Sequence, residues 1–205
     1  MNKLQKIIIG VAFGLCLSVL AFVFLSAQAR NMNAMQIDQK PIMNVAGVGG
    51  DFTLTNQDGK TITEKNLIGQ YTIIFFGFTY CPAICPTELQ KLTEAFIGLH
   101  KSKQDKLQLM FVTVDPERDT QEIMKNYVGL FHPKWQGLRG SNEQTETIKR
   151  AYKIYSAKVP QGDSYTIDHS SFIYLMGKDG KLLRVFKGSD KADVIKKALI
   201  DIIRD

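Results

Sequence analysis

The sequence predicts an α/β domain, with a mixed central sheet flanked by helices, behind an N-terminal transmembrane helix. Three observations lead to this prediction. Strand patterns alternate with helix patterns from residue 51 to the C-terminus, as in layered α/β folds. Residues 71–78 and 107–114 are mostly apolar runs, typical of strands buried on both faces. Residues 7–29 carry no charge and are almost wholly apolar.

The apolar stretch 7–29 is long enough to cross a bilayer, which takes about 20 residues. It exceeds the roughly 7 to 15 apolar residues of a signal peptide, so we expect a retained anchor over residues 1–29. Cleavage is the alternative, since Ala27-Gln28-Ala29 has the small-x-small form of a cleavage site. Lys3 and Lys6 ahead of the stretch place the N-terminus in the cytoplasm.

This topology puts the domain on the far side of the membrane. No Arg-rich and Ser-rich presequence precedes the stretch, which favours the inner membrane of a bacterium, with the domain in the periplasm, over a mitochondrial membrane. Residues 30–50 show no sustained periodicity and are interpreted as a juxtamembrane linker. The folded domain is then predicted over 51–205.

The domain is predicted to open with a β-hairpin. Phe52 and Leu54 alternate with polar residues, 56–59 has turn composition, and alternation resumes over 61–63. A short helical turn follows around 64–67. The buried strand 71–78 comes next.

Two helices and a second buried strand follow the buried strand 71–78. The first helix is predicted after the Cys81–Pro86 segment, because four apolar residues recur at helical spacing: Leu89, Leu92, Phe96 and Leu99. After the strand 107–114, Asp119 and Glu122 mark the start of a helix that runs to about residue 131.

The C-terminal part returns to β-structure. Residues 135–138 are predicted as a short strand, and Ser141 as the cap of a helix. The strands 172–175 and 182–186 flank a turn, and an amphipathic helix ends the chain. This order of elements matches a thioredoxin-like domain, an analogy of fold that does not define the chemistry.

The distribution of charge argues against nucleic acid and leaves protein partners open. The chain carries +6, yet its 26 Lys and Arg residues are scattered and form no basic run or aromatic-interleaved stripe. A mild positive charge suits an acidic protein partner or a membrane surface equally well.

The cysteine pair carries the chemistry. Cys16 lies inside the apolar stretch and is interpreted as structural, whereas Cys81 and Cys85 sit between a buried strand and a helix start. Sulfurs four residues apart should lie on the same side of the first turn, where the helix N-terminus lowers thiol pKa values below about 8.5. Thiol–disulfide exchange and metal binding both stay open at this point. An oxidising compartment would join the pair unless a reductant or a metal keeps it open.

Spacing and a third side chain favour metal. Dithiol oxidoreductases usually place two residues between their cysteines, but Cys81 and Cys85 are separated by three. His169, which precedes the strand expected beside the cysteine loop, is the candidate third ligand. Two thiolates and an imidazole suit copper, whereas structural zinc normally has four protein ligands. His100 and His132 are interpreted as structural.

Three motifs in order resemble the Sco (SenC) family of copper chaperones, and the resemblance covers residue 48 to the C-terminus. They are 78–86 (Phe-Thr-Tyr-Cys-Pro-Ala-Ile-Cys-Pro), 114–120 (Val-Asp-Pro-Glu-Arg-Asp-Thr) and 168–170 (Asp-His-Ser). The resemblance implies a thioredoxin-like domain that binds copper through Cys81, Cys85 and His169. It further implies delivery to the dinuclear copper centre in subunit II of cytochrome c oxidase. Another copper chaperone or a thiol reductant is a further candidate partner.

Four residues near the ligands have less definite roles. Asp115 could tune the site or contact the partner, and it could equally be a turn former before Pro116. Asp168 could orient His169 or cap the loop. Arg118 and Asp119 are interpreted as the end of a loop and the start of a helix.

Two other functions compete with copper delivery. In a thiol–disulfide reductase, Cys81 would attack a recipient disulfide and Cys85 would resolve the mixed disulfide. A thiol peroxidase would need an activating Arg or Thr around one reactive cysteine, and only Thr79 hints at that.

Overall fold

The computed structural model describes residues 47–204, together with Asn2, Ala21, Phe22 and Phe24. The predicted anchor 1–29 and linker 30–50 therefore lie almost entirely outside the described residues. Within the part of the chain that is described, no helix is both long and apolar enough to cross a membrane. Residues 42–205 form a compact unit.

The β-strands of the domain are β1 (Thr53–Asn56), β2 (Thr61–Thr63), β3 (Tyr71–Gly77), β4 (Leu107–Thr113), β5 (Trp135–Arg139), β6 (Ser156–Gln161), β7 (Ser164–His169), β8 (Ile173–Met176) and β9 (Leu182–Phe186). A seven-stranded mixed sheet has the order β2-β1-β5-β4-β3-β8-β9. A separate two-stranded sheet is formed by β6 and β7.

Helices flank this sheet. They are α1 (Ile84–Ile97), α2 (Lys101–Gln104), α3 (Gln121–Gly129), α4 (Asn142–Ala151) and α5 (Ala192–Ile202), with a 3-10 turn at Glu64–Leu67. Ser141 caps α4 in a capping box with Gln144, as the sequence predicted for this helix start. The mixed α/β architecture predicted from the sequence is confirmed.

The central strand β3 positions the functional site. It pairs in parallel with β4 and antiparallel with β8, so that Phe75 lies opposite both Phe111 and Ile173. Its residues from Thr72 to Gly77 are all buried, because helices cover both faces. The pairing with β8 brings the segment after His169 beside the strand that leads to the cysteines, as predicted.

Two helix starts differ from the sequence prediction. Helix α1 begins at Ile84, ahead of Pro86, because a proline is tolerated in the first turn, where the backbone N–H groups have no intrahelical partner. Helix α3 begins at Gln121 with Thr120 as its cap, whose side chain accepts a hydrogen bond from the Ile123 N–H. Asp119, predicted at the start of this helix, lies just outside it.

The hairpin of β6 and β7 was not predicted at all. It is mostly exposed, and of the apolar residues that alternate with polar ones along its strands (Ala157, Val159, Tyr165 and Ile167), Ile167 alone is buried. Such a short alternation is a weak strand signal. Its turn contains Gly162 at a φ of 58°, a left-handed conformation that favours glycine. His169, the last residue of β7, pairs with Ser156 across this hairpin.

Candidate metal centre

Close packing at the end of β3 positions the sulfur of Cys85. The strand ends at Gly77, where a Cβ atom would lie 2.8 Å from the Cys85 sulfur and 2.8 Å from a ring carbon of Phe111. Real Cβ atoms do not approach so closely, so glycine is required there. Cys85, in the first turn of α1, is consequently held against the strand with no exposed surface.

Cys81 lies in the loop between β3 and α1 and is partly exposed. Its sulfur accepts a hydrogen bond from the backbone N–H of Cys85 at 3.4 Å. The hydrogen bond from the Cys85 side chain, with further ones from His169 and from the backbone of Cys85 and Ala83, lowers the pKa of Cys81 to about 3 despite partial burial. Cys81 is therefore a thiolate at neutral pH.

Cys85 behaves in the opposite way. Its hydrogen bond to Cys81 and its burial raise the pKa of the Cys85 thiol above its ordinary value. The two cysteines are not joined in a disulfide. The pair thus consists of a reactive, partly exposed thiolate and a buried thiol that donates to it.

His169 approaches the cysteines from the hairpin. Its Nε2 lies 3.6 Å from the Cys85 sulfur, and its Nδ1 lies 2.9 Å from the carbonyl oxygen of Ser170. A carbonyl only accepts hydrogen bonds, so Nδ1 carries a proton and Nε2 faces the sulfurs. Nε2 can there donate to the Cys81 thiolate or, without its proton, bind a metal. The ring of Phe78 packs edge-to-face on the imidazole at 5.7 Å.

The distance between Cys85 and His169 suits a shared metal ion. One sulfur at about 2.3 Å and one nitrogen at about 2.0 Å from a first-row metal would lie about 3.5 to 3.7 Å apart, and the structure has 3.6 Å. Within residues 47–204, no three His, Cys, Asp or Glu side chains are already arranged to hold a metal.

The structure places Asp115 against the hairpin rather than the cysteines. This buried carboxylate accepts a hydrogen bond from the Tyr165 hydroxyl at 2.9 Å and from Arg118 Nε at 2.5 Å. Asp168 is exposed on β7, and the group that contacts the ring nitrogen of His169 is the Ser170 carbonyl instead. His100 and His132 make local hydrogen bonds to backbone N–H groups, the structural role expected of them.

Asp119 supports the cysteine loop, a role that sequence reasoning missed. It is fully buried and accepts hydrogen bonds from the Thr79 N–H at 3.1 Å, the Thr79 hydroxyl at 2.6 Å and the Thr113 hydroxyl at 2.5 Å. Burial raises the pKa of Asp119, and the hydrogen bonds from Thr113 and Thr79 oppose that rise. One clue was available, since Asp119 follows the buried strand parallel to β3, and the ends of parallel strands meet at one edge of a sheet.

Comparison with known proteins places the chain in a family. The family model described as SCO1/SenC matches residues 41–204. The protein named SCO1 homolog 1, mitochondrial, of Arabidopsis thaliana is 39% identical over 175 residues, which are 85% of this chain and 52% of the plant protein. The chain thus spans about half the length of that relative.

Solved structures agree in fold. Bradyrhizobium japonicum ScoI with copper bound is 40% identical, with a TM-score of 0.70 over 75% of this chain and 98% of that one. BsSco, described as a member of the Sco family of cytochrome c oxidase assembly proteins, is 28% identical, with a TM-score of 0.63 over 80% of this chain and 97% of that one. By its sequence and by its thioredoxin-like fold, the chain belongs to the SCO1/SenC family.

Proposed function

We propose that this protein is a copper metallochaperone that binds copper through Cys81, Cys85 and His169. The observation that carries the proposal is the 3.6 Å approach of His169 Nε2 to the Cys85 sulfur, beside the partly exposed sulfur of Cys81. Two thiolates favour Cu(I), and an imidazole also accommodates Cu(II). The copper bound to the Bradyrhizobium relative supports the choice of metal.

The site suits a cargo that has to leave again. Three protein ligands leave a metal open to a fourth from a recipient, unlike the closed four-ligand sites of structural zinc. Cys81 is the sulfur that a recipient ligand reaches first, because Cys85 is fully buried. The recipient we propose is the dinuclear copper centre in subunit II of cytochrome c oxidase, in keeping with the assembly role named for the relative BsSco.

Membrane attachment would keep the site near such a recipient. Residues 1–29 are proposed as the anchor, 30–50 as the linker and 51–205 as the copper-binding domain, on the periplasmic side of a bacterial inner membrane. The support is the uncharged stretch 7–29, which has the length of a membrane span. If residues 1–29 anchor the protein, it should stay in the membrane fraction after alkaline carbonate extraction, and a chain that starts at residue 31 should be released.

Copper binding by the reduced domain tests the ligand set. We expect one Cu(I) per domain, measured by competition with a chromophoric chelator, and a Kd that is raised at least 100-fold in the His169→Ala variant. His132→Ala is the matched control, because this histidine lies on Phe96 and bonds to the Lys134 N–H. Equal copper affinity in the wild type and the His169→Ala variant would remove His169 from the ligand set.

The asymmetry of the cysteine pair favours a second function, thiol–disulfide reductase. The Cys81 thiolate would attack a recipient disulfide, which forms a mixed disulfide and releases one recipient thiolate. Cys85 would then lose its proton and attack Cys81, which frees the second recipient thiolate and leaves a Cys81–Cys85 disulfide. Two electrons pass to the recipient, and an external dithiol would have to reduce the domain again. Nε2 of His169, 3.6 Å from the Cys85 sulfur, can take the proton.

Trapping separates the two functions. A reductase acts without copper, so the copper-free domain with Cys85→Ser should accumulate a mixed disulfide with a peptide disulfide taken from the recipient, and the Cys81→Ser variant should not. A chaperone without reductase activity forms no such adduct with either variant.

A further inference from the structure

The hairpin that carries His169 has little core of its own. Strands β6 and β7 form a two-stranded sheet apart from the main one, and within this described hairpin Ile167 alone is buried. An isolated two-stranded hairpin is marginally stable in water. The position of His169 relative to the cysteines therefore depends on what fastens the hairpin to the rest of the domain.

Arg118 occupies the space between the hairpin and the cysteine loop. Its Nη1 donates a hydrogen bond to the Tyr165 carbonyl at 2.8 Å, and its guanidinium carbon lies 3.8 Å from the centre of the Tyr165 ring. The same carbon lies 4.9 Å from the centre of the Tyr80 ring. Tyr80 precedes Cys81 directly, and Tyr165 lies four residues before His169. One side chain thus contacts both ligand-bearing segments.

Asp115 completes the attachment. The carboxylate receives Arg118 Nε on one oxygen and the Tyr165 hydroxyl on the other. Its side chain has no exposed surface and that of Arg118 is 19% exposed, so water screens this pair weakly. A separate ion pair joins Lys158 of the hairpin to Glu117, but both side chains are about half-exposed, so this pair contributes little.

We propose that Arg118 is a positioning residue for His169, which sets the separation of the hairpin from the cysteine loop and thereby the copper affinity of the site. The inference rests on the proposed copper function for its effect on affinity. Its structural part does not, because the contacts of Arg118 exist without metal. Groups that orient metal ligands typically change metal affinity by about 10- to 100-fold when they are removed.

The experiment combines two variants of the reduced domain 42–205, a compact unit whose solved relative is matched over 98% of its chain. Arg118→Met keeps the length of the side chain but removes its charge and its hydrogen bonds. Arg139→Met is the matched control, because Arg139 donates to the carbonyls of Asp119 and Pro116 in the same turn without contacting the hairpin. Each variant is made with and without His169→Ala.

Two readouts are compared, namely amide NMR spectra of the copper-free domain and the Kd for Cu(I). Arg118→Met should shift or broaden the amides of residues 156–169 and raise the Kd about 10- to 100-fold when His169 is present, and leave the Kd unchanged in the His169→Ala background. Arg139→Met should lower the melting temperature but keep the Kd within about twofold of the wild type.

Several results would overturn the proposal. One is an equal rise in Kd in both backgrounds, and another is an unchanged hairpin spectrum in Arg118→Met. Equal copper binding by the wild type and His169→Ala would instead refute the proposed ligand set, and the copper-free spectra would still decide whether Arg118 holds the hairpin. If Arg118→Met does not fold, Tyr165→Phe, which removes only the hydroxyl that bonds Asp115, should give smaller changes in the same directions, and no change refutes the proposal.

Discussion

Replacing Asp119 with alanine should destabilise the domain far more than a single loop residue normally does. The side chain is fully buried and receives three hydrogen bonds, two from Thr79 in the cysteine loop and one from Thr113 at the end of β4. The substitution removes the acceptor and leaves all three donors behind. It also frees the loop two residues before Cys81.

The magnitude follows from these bonds. A hydrogen bond to a charged group contributes about 1.5–3 kcal/mol, so three would contribute roughly 4.5–9 kcal/mol if nothing opposed them. Burial of the carboxylate opposes them, as the raised pKa of Asp119 indicates, and alanine escapes this cost. We therefore expect the free energy of unfolding to fall by about 3–5 kcal/mol, the range for a broken buried polar network.

Urea unfolding of the reduced, copper-free domain measures this change. The dependence of the free energy on urea should keep its slope, because the buried area hardly changes, while the midpoint falls. Asp105→Ala is the matched control, because this exposed aspartate forms a surface ion pair with Lys101. The unfolding midpoint of this variant should not move. Asp119→Asn, which keeps the shape and one acceptor oxygen, should fall between the wild type and Asp119→Ala.

A decrease in the free energy of unfolding of less than about 1 kcal/mol for Asp119→Ala would refute the reasoning. Three buried donors that lose their acceptor should destabilise the domain by more than that, unless they find other partners. A loss of the expected size in Asp105→Ala would refute it too. The loss would then follow from removing any aspartate rather than from the bonds that hold the cysteine loop.

Three further predictions concern separate parts of the site. Gly77→Ala should lower the melting temperature and weaken Cu(I) binding, because its Cβ would lie 2.8 Å from the Cys85 sulfur. Gly129→Ala is the control, since Gly129 has open space around it, and equal effects of the two substitutions would contradict the packing argument. Alkylation of Cys81 by iodoacetamide should be nearly independent of pH between about 5 and 8, because its pKa is lowered to about 3 and the thiolate persists as the pH falls; a rate that drops tenfold per pH unit would show an ordinary thiol. Thr120→Ala should reduce stability by about 1 kcal/mol through loss of the α3 cap, with an unchanged Kd for Cu(I); a raised Kd would show that this cap also shapes the site.

The sequence was most informative where burial imposes a pattern. The apolar runs of β3 and β4 predicted the two central strands, because a strand that is buried on both faces is apolar along most of its length. The cysteine loop followed, since a helix periodicity starts directly after it. His169 was placed beside the cysteines from the strand that comes after it, and the pairing of β8 with β3 puts it there.

Exposed structure and long-range contacts were harder to predict. The hairpin of β6 and β7 is mostly exposed, and the alternation around Tyr165 and Ile167 is too short to distinguish a strand from a loop. Arg118 and Asp119 were interpreted as loop and helix-start residues, because a local sequence pattern gives only the neighbours of a residue along the chain and not its contacts in space. Their partners, Tyr165 and Thr79, lie 47 and 40 residues away. Such contacts depend on the fold, which brings the ends of β3 and β4 together.

The three proposed ligands differ in how firmly the fold holds them, and this difference bears on how a metal could be both kept and released. Cys85 is pressed against Gly77 and the core, and Cys81 is fixed by the Cys85 N–H at the start of α1. His169 belongs to a hairpin with almost no core, fastened mainly through Arg118 and Asp115. Since local opening is easiest where few apolar contacts are buried, the imidazole is the ligand most readily withdrawn. A recipient that loosens the hairpin would leave copper on two sulfurs, one of which it can reach.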